Sequence, residues 1–283
     1  MNKKIAAIVI TFNRIEFLKD LINALRHQTR KLDAIIVLNN NSSDGTKEWL
    51  ENQSDLIVIH QDNVGSSGGQ YTGFKYAFEQ GYDYIWTMDD DVEPVETCLE
   101  NLLVNINENR IHAPLRFQPD GKVFFNEAVA YNLTNPFKSF WNGIITEKDI
   151  NQDEIPVTGL TFEGPILPRQ IIEKIGFPDK KFFIYGDDTE YMLRAKKFGA
   201  ETFLIKKARL NRKLNPVDKL QDYGWKYYYA VRNLIAINVL HGNLLVRLIR
   251  PIIYLLLYSL KSKSLSLFKQ TLIAFKDGYF YKQ

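Results

Sequence analysis

The chain has 283 residues, of which 45% are apolar and 24% charged, so it can bury a substantial core and is not a disordered protein. A single cysteine, Cys98, excludes both an intramolecular disulfide framework and a cysteine-rich zinc site, and it fits a reducing cytoplasm. The length suits one large domain, or one domain with a modest C-terminal appendage.

The first hundred residues alternate between strand-like and helix-like patterns. Amphipathic spacing predicts helices between short, Ile- and Val-rich apolar runs, which predict strands at Ile5–Ile10, Ala34–Leu38, Leu56–Ile59 and Tyr84–Met88. This alternation predicts an α/β fold with a mostly parallel, Rossmann-like sheet flanked by helices. In such sheets ligands bind beyond the carboxyl ends of the strands.

The later part of the chain is predicted to be more helical. Residues 111–162 give no clear pattern, but helical spacing then returns at Pro168–Ile175 and Thr189–Phe198. After Pro216 the pattern is helical nearly to the end of the chain, with breaks at His241–Gly242 and Ser262–Ser264. We therefore expect a helical C-terminal extension.

Three adjacent carboxylates, Asp89, Asp90 and Asp91, directly follow the fourth predicted strand. Their mutual repulsion is costly without a cation, and alternate side chains of an extended segment allow Asp89 and Asp91 to face one ligand. Hard oxygen ligands favour Mg²⁺ or Mn²⁺, which can also grip a diphosphate. The alternative is a solvated acidic turn.

Two polar loops follow other predicted strands. Asn63–Gly69 is glycine-rich and precedes a helix predicted to begin near Gln70, an arrangement that suits a phosphate but is also common in plain strand–helix turns. Asn39–Thr46 contains more amides than a helix cap needs, so it could bind a base or a ribose. Thr11–Arg14 follows the first strand at the same edge.

A second acidic cluster lies at Asp187, Asp188 and Glu190, at the start of a predicted helix. Acidic residues in a first turn are ordinary partners of the helix dipole. A carboxylate there is also suited to act as a general base, since it is ionised at neutral pH and accepts a hydroxyl proton.

Taken in order, these motifs resemble the family 2 glycosyltransferases, inverting enzymes with the GT-A fold. The similarity extends from about Ile5 to Leu234 and includes Phe162–Pro165 and the pair Arg232-Asn233, which is similar to a helix of the rhamnosyl- and galactofuranosyl-transferase branch. The resemblance implies a catalytic domain over residues 1–215, with a nucleotide-sugar part at about 1–115 and an acceptor part at about 116–215. The helical region is then 216–283.

The resemblance also implies roles for individual residues. Asp188 would be the base, with Asp187 beside it helping to bind the acceptor, and Glu163 and Gly164 would contribute to acceptor binding. Asp91 would be the principal ligand of Mg²⁺ or Mn²⁺, together with Asp89. Donor binding would involve Thr11, Asn13, Arg14, Asn39, Asn40, Asp44, Asn63, Gly65, Gly69, Asp89 and Asp90.

One departure concerns the metal. Many relatives have a histidine downstream of the base that completes the metal shell, but Ala208–Lys213 contains none. Asn211 could substitute weakly, or Arg209, Arg212 and Lys213 could neutralise the diphosphate. His241 lies too late in the chain to be the expected ligand.

The C-terminal segment is basic as well as apolar. Residues 244–283 contain seven Lys or Arg and one acidic residue, a net charge of +6, whereas the whole chain carries +3. This favours an anionic membrane surface over nucleic acid, on the cytoplasmic face of the inner membrane, although a helix packed on protein or a homo-oligomer is equally compatible. Pro251–Leu260 is about half the length of a bilayer span.

The expected function is transfer of a sugar, with UDP-galactofuranose or dTDP-rhamnose as favoured donors, to a glycan or lipid-linked acceptor in bacterial surface polysaccharide synthesis. A nucleotidyltransferase is the main rival, but it would normally carry a glycine-rich loop after the first strand, where Thr11–Arg14 has no glycine. The other rival is a non-catalytic homologue that acts as a scaffold.

Overall fold

In a computed structural model, described for residues 3–215 and 224–283, the chain folds around one nine-stranded sheet flanked by helices. The strands are β1 (Ile5–Thr11), β2 (Ala34–Asn39), β3 (Ile57–His60), β4 (Tyr84–Asp89), β5 (Val92–Pro94), β6 (Arg110–Phe117), β7 (Glu154–Val157), β8 (Ile166–Pro168) and β9 (Glu201–Arg212). The helices are α1 (Ile15–Arg26), α2 (Thr46–Glu51), α3 (Gly65–Glu79), α4 (Cys98–Leu102), α5 (Arg169–Ile175), α6 (Asp187–Lys197), α7 (Tyr227–His241), α8 (Leu244–Leu260) and α9 (Leu265–Tyr279).

The predicted α/β class is confirmed, but the sheet is mixed and its parallel part is limited. The four strands predicted from apolar runs are present and run parallel, in the spatial order β3, β2, β1 and β4, which the sequence did not predict. Helices cover both faces of these strands, which explains why every residue of β1 is buried. Beyond β4, strand β8 pairs antiparallel with β4 and β6, and β5 and β7 pair antiparallel with β9.

The sequence patterns did not predict β6 or β9, which pair in parallel. The register of this pair moves from Pro114–Ile205 to Leu115–Arg209, so β9 holds three extra residues where β6 has none. Such an irregularity breaks the alternation of apolar and polar residues by which a strand is usually identified. The extra residues include Lys206 and Lys207, whose charges also hide the strand.

Helix α3 begins at Gly65, five residues before the predicted start near Gln70. The backbone N–H of Gly65 donates to Asn63 Oδ1 at 3.0 Å, which fixes the entry to the helix. Gly65 has a positive φ of 76°, and a Cβ atom there would collide with the carbonyl oxygen of Phe183. Gly65 therefore allows the first turn of α3 to approach a neighbouring loop closely.

The C-terminal helices confirm the predicted breaks, while residues 216–223, where helix was also predicted, lie outside the described part of the chain. Helix α9 packs on α7, where Thr271 and Tyr227 share a hydrogen bond of 2.9 Å between their hydroxyl groups. The buried Arg250 of α8 donates to Asn238 Oδ1 of α7 at 2.8 Å and to carbonyl groups of the segment 132–138. The extension is thus anchored on the rest of the protein.

The opposite faces of α8 and α9 carry exposed apolar side chains: Leu245, Leu248, Ile252, Leu256, Leu260, Leu265, Phe268 and Leu272. We call this set the exposed apolar face. Among the helices that the structure describes, none combines the length and the apolar character needed to cross a bilayer.

Candidate active site

The carboxyl ends of the parallel strands bring the first polar motifs together. Thr11 at the end of β1 is the register partner of Asn39 at the end of β2, and Ile10 is the partner of Asp89 at the end of β4. The motifs Thr11–Arg14 and Asn39–Thr46 and the acidic triplet therefore meet at one edge of the sheet, as the sequence predicted.

Asp90 lies beneath this edge and is 3% exposed. The Thr11 hydroxyl donates to Asp90 Oδ2 at 2.7 Å, and Arg14 Nη1 donates to Oδ1 at 3.1 Å. Burial raises the pKa of Asp90 to about 6, although Arg14 and the Thr11 hydrogen bond act in the opposite direction. These contacts make Asp90 an anchor between β4 and the turn that follows β1.

Asp91 is partly exposed and receives a hydrogen bond of 2.8 Å from the same Arg14 Nη1 atom. Burial would lower the pKa of Arg14, but the charges of Asp90 and Asp91 raise it above its ordinary value. Arg14 thus remains a fixed cation at the edge of the sheet, next to the carboxylate that was predicted to bind a metal.

Asp89 is placed among several other acids. Its pKa is raised well above the ordinary value, first because of burial and then because of repulsion by Asp91, Glu163, Asp90 and Asp187. Five acidic side chains thus form one group around the end of β4, which we call the carboxylate cluster: Asp89, Asp91, Glu163, Asp187 and Asp188. The sequence shows these residues as separate motifs, and only the family resemblance implied that they act together.

Glu163 reaches the cluster from the loop before β8. Arg116 Nη1 and Arg212 Nε both donate to Glu163 Oε2, the latter at 3.1 Å. Burial acts to raise the pKa of Glu163, but the two arginines outweigh it and lower the pKa. Glu163 is therefore an ionised residue whose carboxylate is already held by the protein.

Gly164, the next residue, connects this loop to β4. Its carbonyl oxygen accepts a hydrogen bond of 2.8 Å from Trp86 Nε1, and its N–H donates to the Thr87 carbonyl at 2.9 Å. Its φ is 94°, and a Cβ atom would lie 2.7 Å from Leu210 Cδ1. A glycine is required here because the backbone conformation and the packing both exclude a side chain.

Asp187 and Asp188 occupy the first turn of α6. The pKa of Asp187 is raised by burial and then by repulsion from Asp188. Burial also raises the pKa of Asp188, against hydrogen bonds from Thr189 and the charge of Arg116. Among the described residues Asp187 Oδ2 has no hydrogen-bond partner although it is buried. A buried polar atom without a partner requires an explanation, such as a catalytic role or a missing ligand.

The amides predicted to contact the donor are occupied within the protein. Asn39 Oδ1 accepts from the Ser42 N–H at 3.0 Å, and Asn39 Nδ2 lies 3.1 Å from His60 Nδ1. Asn40 Nδ2 donates to the Gly65 carbonyl at 3.0 Å, and Asn40 Oδ1 accepts from Gln61 Nε2 at 2.6 Å. These buried side chains join the loops after β2 and β3.

Asn13 and Asp44 also hold loops. The Ser43 N–H donates to Asn13 Oδ1 at 2.7 Å, and Asp44 Oδ2 accepts from the Ile15 N–H at 2.9 Å, at the start of α1. Burial would raise the pKa of Asp44, but hydrogen bonds from Thr46 and Ile15 lower it. Gly69 lies on the inner side of α3, where a Cβ atom would be 2.9 Å from Ile10 Cγ2.

The residues near the expected histidine position point in different directions. Asn211 lines a cavity of about 510 Å³ together with Asn23 of α1 and His27, which directly follows that helix, whereas the next residue, Arg212, contacts Glu163. This separation follows from the alternation of side chains along β9. Lys213 Nζ lies 3.2 Å from Asp20 Oδ2 on α1. His241 is the last residue of α7, and its Nε2 lies 3.3 Å from Glu190 Oε1.

Sequence reasoning missed Arg116, which lies on the unpredicted strand β6. Its Nε donates to Glu127 Oε1 at 2.8 Å while its Nη1 holds Glu163. It also missed Asn233 of α7, which contacts the loop before Asp187. The only signal for Asn233 was the resemblance of Arg232-Asn233 to a family helix.

The carboxylate cluster can hold a divalent cation only if water or substrate supplies part of the ligand shell. Across residues 3–215 and 224–283, no three acidic, histidine or cysteine side chains are close enough to enclose a metal ion alone. Mg²⁺ is commonly held by one or two carboxylates, with waters and substrate phosphates as the other ligands. Asp91 and Asp89 provide hard oxygen ligands of that number, and the repulsion on Asp89 favours a cation.

Solved structures with a similar fold support this architecture. The structure of GalNAc-T7 with UDP, GalNAc and Mn²⁺ has a TM-score of 0.64 at 11% identity, over 98% of this chain and 56% of that one. Residues 1–349 of TarS from S. aureus with UDP give a TM-score of 0.61 at 16% identity, over 97% of this chain and 80% of that one. At these identities the likeness shows the fold, which is of the GT-A glycosyltransferase type.

The model of glycosyl transferase family 2 matches residues 6–176, so the chain belongs to this family. It is 26% identical to galactofuranosyltransferase GlfT1 of Mycolicibacterium smegmatis over 69% of this chain and 66% of the relative, just under two thirds of that protein. It is 23% identical to the dTDP-rhamnosyl transferase RfbF of Shigella flexneri over 98% of this chain and 96% of the relative. The predicted family resemblance is confirmed.

Proposed function

We propose that the protein transfers a sugar from a nucleoside diphosphate donor to an acceptor hydroxyl group, with inversion at the anomeric carbon. The observation that carries this proposal is the carboxylate cluster, in which acids from β4 and from α6 meet and the buried Asp187 Oδ2 has no partner among the described residues. Perturbed carboxylates gathered at a strand end are typical of an active site. Membership of the family supports the same reaction class.

The proposed division of labour follows the two sides of the cluster. Residues up to about 115, which contain the parallel strands, bind the nucleotide sugar, and residues from about 116 to 215 provide the base and the acceptor site. Arg14 stands at the donor side as a fixed positive charge that favours a diphosphate. Asp187 Oδ2, which has no partner in the described part of the chain, would accept a hydrogen bond from an acceptor hydroxyl group.

The reaction needs one displacement. An oxygen of Asp188 accepts the proton of the acceptor hydroxyl group while that hydroxyl oxygen bonds to the anomeric carbon. The bond from this carbon to the diphosphate breaks, and its electron pair leaves with the nucleoside diphosphate. Because the nucleophile enters opposite the leaving group, the configuration inverts and no covalent sugar–enzyme intermediate is formed.

Asp91 and Asp89 would hold Mg²⁺ or Mn²⁺, the cofactor that the sequence predicted. When bound, such a cation stabilises negative charge on a diphosphate leaving group. Glu163 does not compete for it, because Arg116 and Arg212 hold its carboxylate. We assign Glu163 to shaping the acceptor side, where its ion pairs place Arg116 near Asp188.

The names of the relatives guide the choice of substrates. Galactofuranosyl- and dTDP-rhamnosyl-transferases are among them, and so is an undecaprenyl-phosphate mannosyltransferase of Micrococcus luteus, 29% identical over 42% of this chain. We therefore favour UDP-galactofuranose or dTDP-rhamnose as the donor and a glycan or lipid-linked acceptor in surface polysaccharide synthesis.

A membrane surface is the proposed location of the reaction, since a lipid-linked acceptor is presented there. The exposed apolar face of α8 and α9 is accompanied by the exposed cations Arg247, Lys263, Lys269 and Lys276. Apolar side chains flanked by positive charge suit an interfacial helix on anionic lipid.

Vesicle flotation tests this location. We expect binding to vesicles with anionic lipid, weaker binding at high salt, and loss of binding in Leu256→Glu combined with Leu260→Glu. Val104→Glu, which changes an equally exposed apolar residue of the catalytic part, is the control and should bind normally. Equal binding of all three proteins, or a double variant that changes only the oligomeric state, would contradict the membrane assignment.

The function itself is tested with a panel of nucleotide sugars. In the presence of Mn²⁺ we expect UDP-galactofuranose or dTDP-rhamnose to raise the melting temperature, because a ligand of the folded state stabilises it by mass action. The same donor should release nucleoside diphosphate, and NMR of the product should show the inverted anomer. Release of pyrophosphate would favour a nucleotidyltransferase, and absence of any donor binding would favour a scaffold.

A further inference from the structure

The loop that leads into α6 has an unusual backbone. Phe183 and Tyr185, two bulky residues, have positive φ values of 65° and 66°, and Gly186 follows at 78°. Side chains with a Cβ atom rarely adopt this conformation, and it persists only where the surroundings enforce it. Asp187 and Asp188 come directly after these residues, so their position depends on what holds the loop.

Asn233 of α7 makes the contacts that hold it. The side chain is 1% exposed, and its Nδ2 donates toward three carbonyl oxygens of the loop. These belong to Phe182 at 3.0 Å, Ile184 at 2.9 Å and Tyr185 at 2.6 Å. One buried amide thus gathers the carbonyl groups on both sides of Phe183.

A neighbouring arginine fixes the orientation of this amide. Arg232 Nε donates to Asn233 Oδ1 at 2.8 Å, so the oxygen faces the guanidinium and the NH₂ group faces the carbonyls. Arg232 Nη2 also donates to the Lys181 and Phe182 carbonyls at 2.7 and 2.9 Å. An NH₂ group has two hydrogen atoms, and it shares them among three acceptors here.

The end of the chain secures the same segment on both sides. The Tyr281 hydroxyl donates to Asp179 Oδ2 at 3.0 Å, before the loop. Gln283 Nε2 donates to Glu190 Oε1 at 2.7 Å, in the first turn of α6. The C-terminal region therefore contacts the chain on both sides of the loop that leads into α6, in addition to exposing its apolar face.

The donor side holds the loop independently. The Ser67 N–H, in the first turn of α3, donates to the Phe183 carbonyl at 3.1 Å, between the carbonyls that Asn233 binds. Loss of Asn233 would leave this contact in place. Replacement of Asn233 should therefore change the positions of Asp187 and Asp188 more than it changes donor binding.

From these contacts we propose that Asn233 is a positioning residue, which holds the Phe182–Tyr185 backbone, with its positive φ angles at Phe183 and Tyr185, so that Asp188 can act on the acceptor. The inference rests on the proposed function for its catalytic consequence, while the structural part concerns the loop alone. It assigns the C-terminal extension a part in catalysis that a membrane anchor would not have.

The test compares Asn233→Ala with Asn238→Ala in the full chain. Asn238 is on the same helix and is equally buried, but it contacts Leu234 and Arg250 instead of the loop. Loss of its side chain should therefore destabilise the fold to a similar extent without affecting the loop. We expect Asn233→Ala to lower kcat about 10- to 100-fold, the scale for misplaced catalytic groups, with the donor KM changed less than about threefold. Asn238→Ala should leave kcat within about threefold of the native value.

Asn233→Asp keeps the shape of the side chain and removes its donors, so it carries the test if Asn233→Ala does not fold. Native kcat in a folded Asn233→Asp protein, or equal losses in the Asn233 and Asn238 variants, would overturn the proposal. Hydrogen exchange of the peptide 180–188 gives a second measure, which needs no substrate. We expect faster exchange in the Asn233 variants only, and unchanged exchange would also overturn it.

These readouts separate the two proposals. If the native protein turned over no donor but the Asn233 variants still showed faster exchange at 180–188, the proposed function would fail and the loop assignment would stand. If donor turnover were normal in both the native protein and the Asn233 variants, the reverse would hold.

Discussion

The loops after β2 and β3 and the carboxylate cluster lie at the same edge of the sheet, yet their side chains differ in one respect. In the loops, Asn39 and Asn40 are buried and each oxygen or nitrogen has a partner within the protein. In the cluster, Asp89 is repelled by its neighbours and Asp187 Oδ2 lacks a partner among the described residues.

This difference indicates that two kinds of polar motif lie at one edge of the sheet. Amides in the loops shape the edge by connecting one loop to the next, and their hydrogen bonds are complete before any ligand arrives. Asp89 and Asp187 of the cluster lie in unfavourable surroundings, which a substrate, a proton or a cation would relieve. We therefore expect changes in the cluster to affect turnover, and changes in the loops to affect stability.

The largest effect is expected from Asp188→Asn, which removes the proposed base but preserves the size of the side chain. Turnover should fall roughly 10²- to 10⁴-fold, the usual contribution of a general base, with donor binding retained. Steady-state kinetics and calorimetric titration of the nucleoside diphosphate measure the two effects. Asp153→Asn, on an exposed turn, is the control; native turnover in Asp188→Asn would contradict the assignment.

A smaller but still large effect is expected from removal of the cation. Treatment with a chelator, or the substitution Asp91→Asn, should lower turnover by about 10²-fold or more, because charge on the leaving group is no longer neutralised. Added Mn²⁺ should restore the chelated native protein but not Asp91→Asn. Full activity in the presence of chelator would contradict a role for the cation and leave the charge of the leaving group to be neutralised by protein groups such as Arg14.

Protonation of the cluster predicts a pH dependence. Burial raises the pKa values of Asp187 and Asp188, so the base gains a proton, and turnover falls, at a higher pH than for an ordinary carboxylate near 4. Arg116 opposes this shift and Glu163 adds to it. A pH–rate profile should therefore lose activity about tenfold per unit on its acid side, starting above pH 4. Absence of that limb would count against a carboxylate base.

The loop side of the comparison predicts the smallest effect on turnover. Asn39→Ala leaves the Ser42 N–H and His60 without their partner, so the free energy of unfolding should fall by about 1–3 kcal/mol. Turnover should change less than about tenfold. Urea unfolding and kinetics on the same preparation measure both, and a loss of donor binding with native stability would show that Asn39 contacts the base directly.

The parallel strands and the edge of the sheet were predictable because their signals are local. Buried strands such as β1 read as apolar runs, and a motif after each run has to lie at the strand end. The meeting of Asp89 with Asp187 was not predictable from pattern, since it depends on β6, β8 and β9. The irregular register of β9 erased the alternation that would have identified it.

The functions of single residues were harder to predict than the fold. Gly65 and Gly69 looked like phosphate-binding glycines, but each also has a packing reason, against Phe183 and Ile10. No sequence pattern indicated the role of Asn233, because that role depends on three carbonyl oxygens about fifty residues earlier in the chain. Contacts of this kind become visible only in three dimensions.

The binding of a divalent cation and a diphosphate at the carboxylate cluster is the central claim, and a crystal soaked with Mn²⁺ and uridine or thymidine diphosphate tests it most directly. We expect an anomalous manganese peak within about 2.5 Å of an Asp91 oxygen, bridging to the diphosphate near Arg14. A well-bound nucleotide elsewhere, or an empty edge with Asp89 and Asp91 turned into solvent, would contradict the account.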